Sequence, residues 1–234
     1  MAQSNITLYV DIVSPFAYIA FYILKVRVTS LSIIALFGAF VSAASSDTVN
    51  LCSQDQHSPY ADHLSTKMKT NRPMQNSPAF RQCEIKYVPI FLGGLMNACG
   101  NTPPIAIKNK DKWINQERIR WAKYFNIPIS KESPPGFPIN TLPIQRALAS
   151  LSVSHPQSVA SAISLFYENT WVQWSEPTKP ENLLAILRTV VGSDEEAKKV
   201  LERTKTDEVK KVLTQNTDKA FKDGAFGLPY FVGK

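Results

Sequence analysis

Apolar and polar residues alternate along the first strand-like run of the chain, Ile6–Val10, which the acidic residue Asp11 follows. This period of two, with its β-branched side chains, predicts a strand. Three residues later come Ser14, a good N-cap, and Pro15, whose fixed φ suits the first position of a helix. An apolar run follows directly, so a helix is predicted to begin here and to extend to about residue 25.

A second strand is predicted for Glu84–Leu92, in the run EIKYVPIFL. The glycine-containing stretch after it, GGLMNACGNTPP, is expected to be a loop. The next run, WINQERIRWAKYFNI, predicts a helix, because its larger side chains recur at helical spacing. These side chains are Trp113, Ile114, Arg118, Trp121 and Tyr124 or Phe125.

From about residue 140 onward the pattern is helical. Prolines and capping residues mark the predicted starts of the helices, and glycines mark their ends. The starts are Asn140 or Thr141, Pro156, Pro180 and the capping box Ser193–Glu196, and the ends are Gly192 and Gly224. The last run, AFGLPYFVGK, is predicted to be a turn that leads into a strand.

The order strand, helix, strand, helical block and strand indicates an α/β fold in which an all-helical domain is inserted into a sheet domain. We expect the first part of the sheet domain in residues 1–95 and the helical domain in residues 96–204. The second part of the sheet domain is expected in residues 205–234.

Residues 26–75 do not fit this order. Within them, residues 31–44 form an uncharged apolar run, which is shorter than the about 20 residues that a membrane-spanning helix needs. No stable membrane insertion is therefore expected. The rest of the segment is polar and aperiodic, so it is expected to be a loop or disordered.

Composition narrows the function. The chain has 44% hydrophobic residues and a net charge of +7, but its lysines are spread rather than interleaved with aromatics, which argues against nucleic-acid binding. Three cysteines without CxxC spacing argue against a disulfide scaffold or zinc site and fit a reducing compartment. Since the chain has three histidines, neither a His-based triad nor a metal centre is expected.

Three motifs in a fixed order carry a resemblance to a known family: DIVSPFAYIAFYIL, GGLMNACGNTPP and DGAFGLPYFV. They resemble the kappa-class glutathione transferases, most of all the fungal members, and the runs NTLPIQRALA and LFYENTWVQW look like the same family. The family shares a thioredoxin-like fold with 2-hydroxychromene-2-carboxylate isomerases and bacterial disulfide oxidoreductases. The resemblance covers about residues 5–25 and 76–234, and it implies a thioredoxin-like sheet domain around the helical insertion.

The chain departs from the family pattern in two places. Residues 26–75 have no counterpart, and three origins are open for them: a retained intron, a genuine surface insertion and an acquired membrane-surface segment. The family continues beyond its last strand with a Gly-Ser-Asp segment, a further strand and a helix. These parts are expected to be missing after Lys234, together with their contacts to the γ-glutamyl end of glutathione.

The resemblance implies that glutathione binds with its sulfur near Ser14, beside Pro15 and Phe16. A free thiol, with a pKa of about 8.5, is mostly protonated at neutral pH. A hydroxyl donor at a helix N-terminus stabilises the thiolate, and backbone N–H groups at Phe16 and Ala17 would add to this effect. No base is positioned to make Ser14 itself a nucleophile. The alternative is a serine that only caps the helix.

The resemblance implies two further parts of the site. Leu228 would offer its backbone to the cysteinyl part of glutathione, and the bond between it and Pro229 would be cis. An ordinary turn proline is the alternative. The side chain of Asn101 would contact glutathione, the alternative being a loop asparagine before a turn. Cys99 is taken as structural, and no metal ligands are expected.

The resemblance therefore predicts a transferase that activates its co-substrate glutathione as a thiolate for conjugation to small hydrophobic electrophiles in detoxification, with an accompanying peroxidase activity. Two alternatives stay open: a glutathione-dependent 2-hydroxychromene-2-carboxylate-type isomerase, and a non-catalytic or misprocessed product of a kappa-class gene. A disulfide oxidoreductase is not expected, since Ser14 and Ala17 occupy both positions of the redox pair. The resemblance also implies a homodimer located in the cytoplasm, mitochondria or peroxisomes.

Overall fold

The computed structural model describes residues 5–27 and 83–233. The apolar run 31–44 and the polar stretch after it, with the loop, disorder and membrane properties predicted for them, lie outside the described residues. Strand β1 spans Asn5–Val10, helix α1 spans Pro15–Arg27 and strand β2 spans Glu84–Pro89. Helix α1 therefore begins at the proline that the sequence indicated.

The sheet in the described part of the chain has three strands in the order β2–β1–β3, where β3 is Tyr230–Gly233. Strands β1 and β2 run parallel, with Val10 opposite Pro89. Strands β1 and β3 run antiparallel, with Tyr9 opposite Tyr230. The last residues of β1 and β2 and the segment just before β3 consequently meet at one end of the sheet, called here the carboxyl end.

Helix α2, Leu92–Ala98, lies where the sequence predicted the end of a strand and a loop, and that prediction was wrong. The pattern did not predict this helix because it contains Gly93 and Gly94, and glycine is a poor helix former. They also leave room for the Phe91 ring, since a Cβ atom at Gly93 would lie 3.0 Å from the Cζ atom of that ring. A distant contact fixes the helix start: the Phe91 N–H donates to Thr217 Oγ1 at 3.1 Å.

Helices fill most of the chain between α2 and β3. They are α3 (Lys110–Phe125), α4 (Leu142–Ser154), α5 (Val159–Trp171), α6 (Pro180–Val191), α7 (Asp194–Arg203) and α8 (Asp207–Lys222), with 3-10 turns at Pro104–Ala106 and Pro156–Ser158. Gly192 ends α6 at a φ of +74°, and Gly224 follows α8 at a φ of +98°. The predicted cap of α7 is also present, since Ser193 Oγ accepts from the Glu196 N–H at 3.4 Å. None of the helices in the described ranges is both long and apolar enough to cross a membrane.

Helix α1 is buried on nearly all sides, which agrees with its almost uninterrupted apolar sequence. The Tyr18 ring stacks on Tyr167 of α5, with ring centroids 5.0 Å apart. Phe21 meets Tyr87 of β2 edge to face at 4.8 Å. These contacts hold α1 between the sheet and the helical block, and they fix the position of its N-terminus.

Candidate functional site

Ser14 lies at the junction of β1 and α1, at the carboxyl end of the sheet, and is only 6% exposed. Its backbone N–H donates to the Asp11 carbonyl at 3.1 Å, and its own carbonyl accepts from the Tyr18 N–H at 3.1 Å. Its hydroxyl oxygen accepts from the N–H of Ala17 at 3.2 Å. Ser14 is thus the N-cap of α1, which is the simpler of the two roles that the sequence allowed.

Capping leaves the hydroxyl proton of Ser14 for a ligand. A serine hydroxyl accepts and donates at the same time, and accepting the bond from Ala17 polarises its O–H group. Among the described residues, this hydroxyl makes no hydrogen bond to a histidine or a carboxylate that would make it a nucleophile. The polarised donor and the positive end of the helix dipole together suit an anion.

Asp11 is fully buried next to this junction, and the sequence did not reveal what it does there. Its Oδ1 atom accepts from the Thr141 hydroxyl at 2.6 Å, the Gln145 side-chain amide at 3.0 Å and the Val13 N–H at 3.1 Å. Its Oδ2 atom accepts from the N–H of Leu92 at 2.8 Å. One carboxylate therefore ties the end of β1 to the first turns of α2 and α4.

The environment of Asp11 changes its ionisation. Burial raises the pKa of its carboxyl from the ordinary value of 3.8, while the hydrogen bonds that it accepts act in the opposite direction. A signal for this buried charge was present in the sequence, because Val10 and Ile12 on either side of Asp11 are apolar, and both are fully buried. A charge enclosed in this way needs hydrogen-bond partners from elsewhere in the fold.

The peptide bond between Leu228 and Pro229 is cis. Because Tyr230 lies opposite Tyr9 in the antiparallel register, the two residues before it continue alongside the end of β1. The Leu228 side chain packs against a cluster that includes Tyr9. Its backbone N–H and carbonyl have no hydrogen-bond partner within the described ranges. Leu228 therefore offers unpaired backbone groups at the same end of the sheet as Ser14.

Asn101 follows α2 in a loop that contacts the segment before β3. Its Nδ2 group donates to the Phe226 carbonyl at 2.9 Å, and its backbone N–H donates to the Met96 carbonyl at 2.9 Å. Asn101 thus connects its loop to the one that holds Leu228. Its side chain makes no hydrogen bond with Ser14 among the residues that the structure describes.

A cavity of about 410 Å³ opens beside Pro15, the residue after Ser14. One face of α3, the loop 133–137 and Trp171 at the end of α5 form most of its wall. Phe137 and Trp171 meet edge to face, with ring centroids 5.4 Å apart. The Trp171 Nε1–H donates to the Ile12 carbonyl at 2.9 Å, which attaches the wall to the β1–α1 junction. The cavity offers aromatic surface for a second ligand next to Ser14.

The junction has no cysteine of its own, since residues 11–25 contain none. Cys99 is a free thiol, and its Sγ atom donates to the Ala225 carbonyl at 3.4 Å. Cys52 lies outside the described residues. In the ranges 5–27 and 83–233 no three His, Cys, Asp or Glu side chains form a group that could hold a metal ion. Residues 11–25 themselves therefore supply no thiol to this junction.

The model of the DSBA-like thioredoxin domain family matches residues 54–233 of the chain. Human glutathione S-transferase kappa 1 is 28% identical over 149 residues, which cover 62% of this chain and 65% of that protein. The rat protein of the same name is 27% identical over 151 residues, covering 62% and 66%. The Caenorhabditis elegans protein of that name is 24% identical over 151 residues, covering 62% and 65%. The chain thus spans about 65% of the length of these curated relatives.

Solved structures share the fold of this chain. A structure of 2-hydroxychromene-2-carboxylate isomerase superposes with a TM-score of 0.61 at 17% identity, covering 97% of this chain and 84% of that one. A probable DsbA oxidoreductase from Streptomyces coelicolor superposes with a TM-score of 0.54 at 14% identity, covering 98% and 80%. At these identities the likeness concerns the fold alone. It confirms the α/β, thioredoxin-like architecture predicted from the sequence.

Proposed function

Because the chain belongs to the DSBA-like thioredoxin domain family, we propose that it is a glutathione transferase whose thiol substrate binds at the β1–α1 junction. The sequence similarity to three proteins named glutathione S-transferase kappa 1 supports glutathione as the co-substrate. Ser14 is the catalytic residue in this proposal, and its hydroxyl donates a hydrogen bond to the glutathione sulfur.

The hydrogen bond from the Ala17 N–H to the Ser14 hydroxyl oxygen carries this proposal. It fixes the hydroxyl at the first turn of α1 and leaves its proton for an acceptor outside the protein. A sulfur placed there receives one polarised O–H donor together with the positive helix end. Both favour the thiolate over the thiol, whose pKa in free solution is about 8.5. The thiolate is the nucleophilic form.

The unpaired backbone of Leu228 supports a second contact with glutathione. An extended peptide can bind to free backbone groups as an added strand does, and the cysteinyl part of glutathione has the N–H and carbonyl that this requires. Asn101 lies in the adjoining loop and supplies a polar side chain near the same segment. Pro15 and Phe16 form the first turn of α1, next to the position proposed for the glutathione sulfur.

The cavity beside Pro15 suits the electrophile. With an aryl halide, the thiolate sulfur forms a C–S bond at the carbon that carries the halogen, and halide leaves with the electrons of the broken bond. The thiol proton passes to solvent when the thiolate forms. With a peroxide, the thiolate sulfur forms an S–O bond to one peroxide oxygen, the O–O bond breaks, and the other oxygen takes a proton from solvent and leaves as alcohol. The resulting sulfenic acid reacts with the thiol of a second glutathione, which forms the disulfide and releases the oxygen as water.

Glutathione binding by the purified full chain tests the proposal. Calorimetry should show saturable binding, and the ultraviolet absorbance of the thiolate should give the bound thiol a pKa about two to three units below its value in solution. S-methylglutathione is the matched control ligand: it should bind without the thiolate signal, because its sulfur cannot ionise. No binding, or an unshifted thiol pKa, would overturn the proposal. Turnover of 2-hydroxychromene-2-carboxylate without any conjugation of aryl halides would favour the isomerase instead.

A further inference from the structure

Arg118 is a buried cation in the wall of the cavity beside Pro15, and it is 1% exposed. Its Nε donates to Asn115 Oδ1 at 2.9 Å, and its two Nη atoms donate to the Ser130 and Lys131 carbonyls, each at 2.7 Å. These bonds use three of the five guanidinium N–H groups. All three acceptors are uncharged, and within the described part of the chain no carboxylate pairs with this guanidinium. A buried charge without a counter-charge is costly.

The face of α3 that lines the cavity carries an exposed acidic residue at one end and the buried cation Arg118 further along. Asp111, Ile114, Asn115 and Arg118 all contribute to the lining, and their spacing of three and four residues places them on one helix face. Asp111 is exposed, and it lies seven positions before Arg118, which corresponds to about 10 Å along the helix axis. Water screens the exposed carboxylate more than the buried guanidinium. The inner part of this wall therefore attracts anions.

An aromatic wall connects Arg118 to the β1–α1 junction. The guanidinium carbon of Arg118 lies 5.6 Å from the centre of the Trp171 ring. Trp171 in turn donates to the Ile12 carbonyl and meets Phe137 edge to face. Pro15, next to Ser14, lines the same cavity. A flat ring in this cavity would thus share its surroundings with both the buried cation and the junction.

We propose that this cavity selects an aromatic electrophile that carries a carboxylate, with the carboxylate paired to Arg118 and the ring lying against Phe137 and Trp171. The inference rests on the transferase function proposed above, whose electrophile it specifies. The planar fork of a guanidinium matches the two oxygens of a carboxylate, and the ligand supplies the counter-charge that the described residues lack. Arg118 is a specificity-determining residue in this proposal.

A chlorinated nitrobenzoate is an example of such an electrophile. The thiolate sulfur of glutathione forms a C–S bond at the carbon that carries chlorine, the C–Cl bond breaks, and chloride leaves with the bonding electrons. The carboxylate is unchanged and serves only for recognition. Its effect should therefore appear in KM rather than in kcat.

Two electrophiles that differ in charge test the inference on the full chain at saturating glutathione: 4-chloro-3-nitrobenzoate and its neutral amide, 4-chloro-3-nitrobenzamide. We expect Arg118→Met to raise KM for the benzoate about tenfold, because a charge-assisted bond is lost, and to leave KM for the benzamide nearly unchanged. Arg120→Met is the matched control, since that arginine lies on the same helix with its side chain 65% exposed. It should change neither KM. Equal effects of Arg118→Met on both electrophiles would overturn the inference.

Asp111→Asn tests the same inference in the opposite direction, which matters if Arg118→Met does not fold. Asp111 is exposed, so its replacement should disturb the fold little. Removing its negative charge from the cavity wall should lower KM for the benzoate about two- to threefold and leave the benzamide unaffected. An unchanged KM for the benzoate would count against an anion in this cavity.

Binding of an unreactive ligand separates this inference from the transferase proposal. Calorimetric titration of the full chain with 3-nitrobenzoate should show binding that Arg118→Met weakens about tenfold, whereas 3-nitrobenzamide should bind both proteins equally. That result without any glutathione binding would overturn the transferase proposal and support the anion pocket. Glutathione conjugation with no preference for the benzoate would support the transferase and overturn the pocket.

Discussion

Replacing Asp11 by alanine is expected to lower the free energy of unfolding by about 3–5 kcal/mol. The substitution leaves four donors without their acceptor, from Val13, Leu92, Thr141 and Gln145. Each buried donor that loses its partner costs about 1–3 kcal/mol, less whatever relaxation and entering water restore. Urea denaturation measures the change. Asp218→Ala, at an exposed position of α8, is the control and should lose less than about 0.5 kcal/mol. Similar losses in both variants would contradict the expectation.

The contribution of Asp11 to the free energy of unfolding should depend on pH in a way that identifies its carboxyl group. Its pKa is raised by burial in the folded state, while the unfolded chain has the ordinary value of 3.8. The folded protein binds this proton more tightly, so its stabilising contribution is complete below pH 3.8 and is lost as the pH rises through the folded-state pKa. The side-chain amide of the Asp11→Asn variant cannot titrate. The stability of the wild type relative to this variant should therefore fall across that window and stay level above it.

Helix α1 and helix α2 show which parts of the fold the sequence could predict. The start of α1 is encoded locally, by a strand that ends, a capping serine and a proline at the first helical position. Helix α2 has no such local signal, and its two glycines disfavour a helix. The contacts that hold its start come from Asp11 and Thr217, which are 81 and 126 positions away from their partners. A pattern of neighbouring residues carries no information about contacts of this range.

The candidate site likewise has parts that local motifs predict and parts that depend on contacts distant in the sequence. The motifs indicated Ser14, Asn101 and Leu228, and the structure places the three in neighbouring segments at the carboxyl end of the sheet, although their contacts with glutathione stay predictions. Arg118 was one of the larger side chains whose helical spacing predicted α3, and it was not singled out as a site residue. A cation among these otherwise apolar side chains was the available signal for a buried charge. The carbonyls that hold it come from the loop after α3, which no periodic pattern predicts.

The largest effect on activity is expected from Ser14→Ala, which should lower the rate of glutathione conjugation about 100-fold below neutral pH. Loss of one preorganised donor to a reacting anion typically has an effect of about this size. The pKa of the bound thiol should rise by about two units, which corresponds to the same free energy. Measured against pH, the rates of the wild type and the variant should converge at alkaline pH, because glutathione is then a thiolate in both. A constant ratio at every pH would show that Ser14 does not act on the thiol.

Loss of the helix cap is the competing explanation for an inactive Ser14→Ala, and two further variants separate it from loss of the donor. Ser193 caps α7 through the same kind of bond, so Ser193→Ala should cost about 0.5–2 kcal/mol of stability and leave the conjugation rate unchanged. Ser14→Gly removes the hydroxyl from a position where glycine caps nearly as well, so it should be as inactive as Ser14→Ala while losing only about a few tenths of a kcal/mol. Wild-type conjugation rates in Ser14→Gly would show that Ser14 acts only as a helix cap. The thiolate would then be stabilised by the backbone N–H groups at the start of α1.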